Sequence, residues 1–264
     1  MAKTDKELAF IRDLFIDEAW TQRFTELVDK HINLKDAENM AYLNAGTGNH
    51  AMLLADKFGE VTDIFASVET EELLTIARDK AAATSSRADF SRIKFEDDSF
   101  DSVLADASLV PVSEIMDVVD DAIRVTKVGG DVGVMLPTAG SFGEVFSLLW
   151  EALYNEELTA HGEHIEKLIS ELPSVTRVEE LAAQAGLVNV NTEVAVELFE
   201  YDSGTEFVES PLVADYLLPH WLETLDENEK ERVVKQLTHL IDAEEAPVTF
   251  RFSVKATLLS GEKG

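Results

Sequence analysis

The chain contains no cysteine, which excludes disulfides, thiolate metal sites and cysteine nucleophiles. Basic residues are scarce: 22 Lys and Arg stand against 52 Asp and Glu, for a formal net charge of -30. Affinity for nucleic acid rests largely on neutralising phosphates, and no cluster of Lys and Arg forms the stripe that would do so. Anionic membrane surfaces are disfavoured for the same reason. No apolar run approaches the roughly 18 residues that a membrane helix needs, and the charged stretch 1–12 has no signal-peptide core. No P-loop and no serine-centred triad motif is present. The expectation is a cytoplasmic protein with a neutral or cationic small-molecule partner, no nucleic acid and no membrane insertion. A protein partner or a homo-oligomer stays open.

What is present suits a folded α/β chain. Apolar residues make up 45% of the 264, enough for a real core. Residues 7–32 carry Leu8, Ile11, Leu14, Phe15, Trp20, Phe24, Leu27 and Val28 at helical spacing. Strands are expected at Met40–Leu43, Val61–Val68, Ser102–Leu104 and Asp131–Leu136. Helices are expected at Thr70–Ala83 and Val112–Val125, the latter stopped by Gly129 and Gly130. This alternation argues for a parallel, buried sheet. Residues 141–172 and 204–243 read as helical, with a helix at Arg177–Ala185 between them. Val188–Glu197 and Pro247–Leu259 alternate apolar and polar, as half-exposed strands do. No repeat or low-complexity linker divides the chain.

Between the first strand and its helix lies Asn44-Ala45-Gly46-Thr47-Gly48-Asn49-His50-Ala51. Glycines at that junction allow a tight turn and a close backbone approach, and the helix N-terminus offers amide donors. The string fits G-x-G-x-x-A, with Glu69 falling 21 residues after Gly48, the spacing of a ribose-binding acid in dinucleotide folds. A nicotinamide-dependent oxidoreductase is therefore one reading. An ordinary turn that needs glycine only for its dihedrals is another.

The segment DFSRIKFEDDSFDSVLADASLVPVSEIMDVVDDAIRVTKVGGDVGVMLP, Asp89–Pro137, resembles the middle of class I S-adenosylmethionine-dependent methyltransferases. The nearest likeness is to the type 11 group that includes quinone-biosynthesis enzymes. It is carried by an acid, the D-x-S-F-D block Asp97–Asp101, a strand, a helix and a K-x-G-G turn. The helix AWTQRFTELVDKHI and the closing strand look similar too. The resemblance implies a Rossmann-like α/β fold: a mostly parallel seven-stranded sheet with an antiparallel edge strand and helical cap insertions. It implies one domain over 1–264, with N-terminal helices at 5–33, a core at 36–139, 174–200 and 246–260, and insertions at 140–173 and 203–244.

It also implies S-adenosylmethionine as cofactor and methyl transfer to a small-molecule oxygen, nitrogen or carbon. The family's glycine loop corresponds to Tyr42, Leu43, Asn44, Ala45, Gly46, Thr47 and Gly48. Tyr42 stands where the family has an acid, and Asn44 replaces the first glycine. Asn tolerates left-handed backbone angles, so the turn can survive. Glu69 matches the ribose-binding acid if the following loop is one residue short; otherwise the position is Val68. Asp89, with Phe90 beside it, matches the adenine-binding acid, and Asp106 and Ala107 match the methyl-transfer side. If Tyr42 and Asn44 abolish cofactor binding, the alternative is a catalytically inactive methyltransferase-fold protein acting as an interaction or regulatory module.

No motif marks a catalytic base. The candidates are His220, Tyr216 and His50, with Trp150 and Trp221 as walls of an acceptor pocket; each has packing of the helical cap, or a polar first turn, as its plainer explanation. His161 and His164 bracket Glu163, but no third ligand is evident and no metal is expected. The clusters Glu96-Asp97-Asp98, Asp120-Asp121 and Glu244-Glu245 read as surface charge.

Overall fold

A computed structural model describes residues 3–32, 37–243 and 249–264. Helix α1 (Asp5–Ile11) starts at Thr4, whose hydroxyl accepts from the Glu7 N–H while the Glu7 carboxylate accepts from the Thr4 N–H. This reciprocal cap satisfies two otherwise orphaned donors. The helix continues as a π-wound stretch, Arg12–Thr21, and then as α2 (Gln22–His31). The Gln22 N–H donates to the Asp17 carbonyl five residues back, the wider winding that π-helices have. On its buried side lie Arg12, Ile16 and Trp20.

The alternating half follows: β1 (Asn39–Leu43), α3 (Asn49–Phe58), β2 (Asp63–Ser67), α4 (Glu71–Thr84), β3 (Asp89–Ser91), β4 (Phe100–Asp106), α5 (Ile115–Val125) and β5 (Thr126–Thr138). Then come α6 (Gly143–Asn155), α7 (Gly162–Glu171), α8 (Val175–Gln184), β6 (Leu187–Tyr201), α9 (Gly204–Glu209), α10 (Leu218–Trp221), α11 (Glu227–Asp242) and β7 (Phe250–Lys263). The sheet order is β3-β2-β1-β4-β5-β7-β6. The first five of these strands pair in parallel. The last two close the sheet antiparallel: Ser260 bonds to Asn191 while Phe252 stacks on Phe199, so one strand rises as the other falls. The expected seven-stranded, mostly parallel sheet is the one that forms.

Several boundaries differ from the expectation. The helix read as stopping at Gly129 ends at Val125, and β5 runs through both glycines. Gly130 passes so near the Asp101 carbonyl that a Cβ would stand 2.7 Å from it, and the β4–β5 register slips between Phe100 and Ser102. His161 closes a short 3-10 turn, with only His164 inside α7. Strand β3 carries no alternation long enough to announce it. Asp36 and residues 246–248 of the expected core, and the Glu244-Glu245 cluster, lie outside the described residues.

Two compact units divide the chain. The first is Met1–Leu136, Val175–Ala195 and Ala256–Gly264; the second is Pro137–Ser174 and Val196–Lys255. The insertions expected at 140–173 and 203–244 contribute most of the second. In the first unit Ala41, Leu43, Val103, Ala105, Val132 and Val134 face Ile115, Val119, Val178 and Ala182, while Met40, Tyr42 and Leu104 are equally buried. Strands covered on both faces need unbroken apolar runs, and each such side chain contributes about 1.5–3 kcal/mol. The second unit has an aromatic core, with Trp221 edge-on to Phe142 and Phe146 at 5.4 Å.

Candidate functional site

In the first unit the carboxyl ends of β1, β2 and β4 carry the polar groups that the apolar strands exclude. β1 ends at Leu43, and Asn44 turns the chain with φ +55°, the left-handed conformation its side chain tolerates. Its amide donates to the Asp106 carbonyl at 3.2 Å, tying the turn to the end of β4. Gly46 and Gly48 follow with φ +57° and +81°, and Gly48 is the N-cap of α3. The Gly46 N–H donates to the Glu69 carboxylate at 3.2 Å. Val68 is buried and its N–H goes to the Ser91 carbonyl. Of the two positions left open for the acid after β2, Glu69 is the one that reaches the glycine turn.

Arg12, which the sequence did not single out, enters this cluster from the π-wound helix. Its guanidinium lies 3.8 Å from Glu69 and 3.9 Å from Asp106, with the residue only 7% exposed. A Cβ on Gly46 would meet it at 3.2 Å. Asp106 is buried, and burial pushes its carboxyl pKa up, against the pull of Arg12 and the Ser108 N–H. That N–H donates to Asp106 at 2.8 Å, and the Ser108 hydroxyl accepts from the Trp20 indole at 3.0 Å. Arg12 and Trp20 thus fasten one buried helix face to the loop after β4. The sequence signal was a charged residue four positions before Ile16 on an apolar face; its partners are invisible without the fold.

Tyr42 lies beneath the turn, buried, with its hydroxyl 3.0 Å from His50 Nδ1 and the rings edge-on at 5.6 Å. Burial, helped by the Asp106 and Asp17 carboxylates, raises the phenol pKa well above its ordinary value, so Tyr42 stays neutral. His50 Nε2 lies 3.8 Å from Asp29, a spacing that would suit an ion pair. Burial outweighs the attraction of Asp29 and Asp17 and lowers the His50 pKa to about 4, so the imidazole is neutral at pH 7. An unfolded histidine takes its proton near pH 6.5. The folded form resists it, so this contribution is complete above 6.5 and is lost as pH falls toward 4. It amounts to roughly 3 kcal/mol at most. Urea melts at pH 7 and pH 4.5 should show a smaller difference in His50→Phe than in the unaltered chain; an equal difference would remove His50 from the acid response.

The remaining candidates sit elsewhere. Asp89 is exposed at the amino end of β3, level with Phe65 of β2, and the structure does not bring it to the Glu69–Asp106 cluster. Phe90 is buried there instead, its ring 2.5 Å from where a Gly48 Cβ would lie. His220 and Tyr216 belong to the second unit. His220 is exposed and its carbonyl accepts from His164 Nε2 at 3.1 Å. His161 bonds to Thr224 at 3.2 Å, so the two histidines serve different partners. Trp150 covers Gly162 and Trp221 packs against Phe142 and Phe146.

Beside the glycine turn a cavity of about 450 Å³ opens between Leu43, Asn44, Ser67, Glu69, Val110 and Val118. It lies at strand carboxyl ends, where open α/β sheets bind ligands. Residues 43–134 match the profile of the methyltransferase domain family. The YcgJ protein from Bacillus subtilis superposes with a TM-score of 0.59 at 14% identity, over 92% of this chain and 98% of that one. Phosphoethanolamine N-methyltransferase 2 of Haemonchus contortus, solved with phosphomonomethylethanolamine and S-adenosylhomocysteine, gives 0.56 at 15%, over 98% of this chain and 58% of its own. The fold is that of the class I S-adenosylmethionine-dependent methyltransferases. The [4+2]-cyclase SpnF, at 0.51 and 18% over 100% and 97%, shares it, a reminder that chemistry belongs to sites and not folds. No curated protein sequence matches the chain. No helix among the described residues is long and apolar enough to cross a membrane.

The Glu69 carboxylate accepts from the glycine turn and the Asp106 carboxylate shares Arg12 with it, an acceptor set suited to a ligand with a diol and a positive charge. The cavity gives room beside Glu69. Above Gly46 the space is taken by Arg12, whose guanidinium suits a carboxylate.

Proposed function

We propose that the chain transfers the methyl group of S-adenosylmethionine to a small, neutral or cationic acceptor. The observation that carries this reading is the Glu69 carboxylate on the Gly46 N–H beside a cavity at the strand ends, with Asp106 tied to the same turn through its main-chain carbonyl and sharing Arg12 with Glu69. Glu69 would hold the ribose hydroxyls and Asp106 would face the cationic part of the cofactor. Arg12 would exchange its two carboxylate partners for the cofactor's own. The bound cofactor supplies an electrophilic methyl group. The chain's share is to align the acceptor and exclude water, and no base is assigned.

Calorimetric titration with S-adenosylmethionine and its demethylated product tests this. Saturable binding is expected, weakened about tenfold or more by Glu69→Ala, which corresponds to about 1.4 kcal/mol. Asp89→Asn should change it less than about twofold, because that side chain is exposed. A second reading, an inactive methyltransferase-fold module, is favoured by Arg12 against Gly46 and by Tyr42 in the acid's place. Folded protein that gives no heat at near-millimolar ligand would select it and end the first reading.

A further inference from the structure

We propose that the first unit holds a second binding site, for a small organic polycation, in the cleft bounded by the π-wound stretch, α2, α3 and α4. This cavity, about 850 Å³, is of the size that takes small ligands. None of Asn44, Gly46, Glu69 or Asp106 lines it, so it is separate from the crevice at the strand ends and does not depend on the reading given to that crevice.

Two observations point to a ligand. The first is charge. Asp17, Glu26, Asp29 and Asp56 line the cleft against Lys80 and Arg87. Both cations are engaged by acids outside the lining: Lys80 by Asp13, and Arg87 by Glu60 at 3.5 Å and Asp63 at 3.6 Å. Glu26 and Asp29 are likewise engaged by cations outside the lining, Lys30 at 3.0 Å and Lys57 at 3.2 Å, whereas Asp17 and Asp56 have no ion-pair partner among the described residues. The cleft is left with a surplus of negative charge in a concave surface, which concentrates the field on a cation.

The second observation is independent of charge. Thr21 and His50, 9% and 7% exposed, both line the cleft. Thr21 Oγ1 and His50 Nε2 are buried polar atoms without a hydrogen-bond partner among the described residues. Buried polar groups nearly always have partners, so each orphan calls for one. The Thr21 hydroxyl has two lone pairs to accept from an ammonium group, and His50 Nε2 accepts in the tautomer that carries its proton on Nδ1. Met52, Leu53 and Ala83 give the cleft an apolar wall for an alkyl stem. A metal ion is a poorer match, because no group of three His, Asp or Glu among the described residues is arranged to hold one. A linear polyamine satisfies every feature: ammonium groups for the acids and the orphans, methylenes for the wall.

Spermidine is the probe, titrated calorimetrically into the full chain at about 0.15 M salt, where exposed charges are screened beyond about 8 Å. One saturable site is expected. Thr21→Val, which removes an unsatisfied hydroxyl and leaves the fold intact, should weaken it about fivefold or more, and Asp56→Asn should do likewise. Asp120→Asn with Asp121→Asn, outside the cleft, should leave it unchanged, and so should saturating S-adenosylhomocysteine. Non-saturating heat, or equal weakening by the Asp120 and Asp121 changes, would mean condensation on an acidic surface and overturn the site. Displacement by S-adenosylhomocysteine would overturn its separateness while leaving the cofactor reading standing.

Discussion

Arg12→Met is expected to cost roughly 3–5 kcal/mol of folding stability, the range found when one partner of a buried ion pair is removed. Methionine fills similar space, so the loss is electrostatic. Asp106 is 4% exposed and its pKa is already raised by burial; without the guanidinium its charge is left to the Ser108 N–H and hydroxyl. Glu69, more exposed at 29% of its side chain, suffers less. The sign with pH follows. A carboxyl raised by burial is stabler protonated in the fold, so the cost of losing Arg12 shrinks as pH falls and Asp106 takes a proton. Urea melts at pH 7.5 and pH 5 would show a larger deficit at the higher pH. Arg12→Met with Asp106→Asn should recover most of the loss, since the charge that needed a partner is gone. A single-variant deficit below about 1 kcal/mol would place the pair in the weak, solvent-screened class and remove Arg12 as the clamp on β4.

Gly48→Ala comes next in size, at roughly 2–5 kcal/mol, from two additive causes. A φ of +81° strains any residue with a Cβ by about 1–2 kcal/mol. The new methyl would also meet the Phe90 ring at 2.5 Å, an overpacking worth about 1–3 kcal/mol. The two parts separate experimentally. Phe90→Leu opens space over the turn, so the double variant should be stabler than the summed singles require by about 1 kcal/mol or more, a coupling typical of residues in contact. The backbone part should persist. Simple additivity in chemical denaturation would show that Phe90 does not pack on the turn.

Both residues illustrate how unevenly the site was legible. Gly46 and Gly48 announced themselves because their conformation is local: a strand-to-helix turn with positive φ needs them wherever it occurs. Asn44 was readable for the same reason, and it takes φ +55°. Glu69 was readable by spacing but not resolved from Val68, since one residue of slip in a loop leaves no mark on a pattern. Asp89 matched by motif, yet the structure exposes it at the amino end of a three-residue strand. Arg12 was missed because its partners lie 57 and 94 positions away along the chain.

The amino-acid sequence by itself determined the absence of thiol chemistry, the acidic surface and the alternation of apolar strands with helices. These follow from composition and from periodicities set by each segment's own backbone geometry. It also determined the glycine turn, through dihedral angles that only a few residues adopt. Tertiary structure alone decided that a helix more than thirty residues upstream lays a guanidinium on that turn. It alone decided that Tyr42 turns its hydroxyl to His50, and that Thr21 and His50 leave unsatisfied atoms in a common cleft. Burial and pairing belong to the space between segments, and pKa values, orphaned polar atoms and cavities come into being only when that space closes.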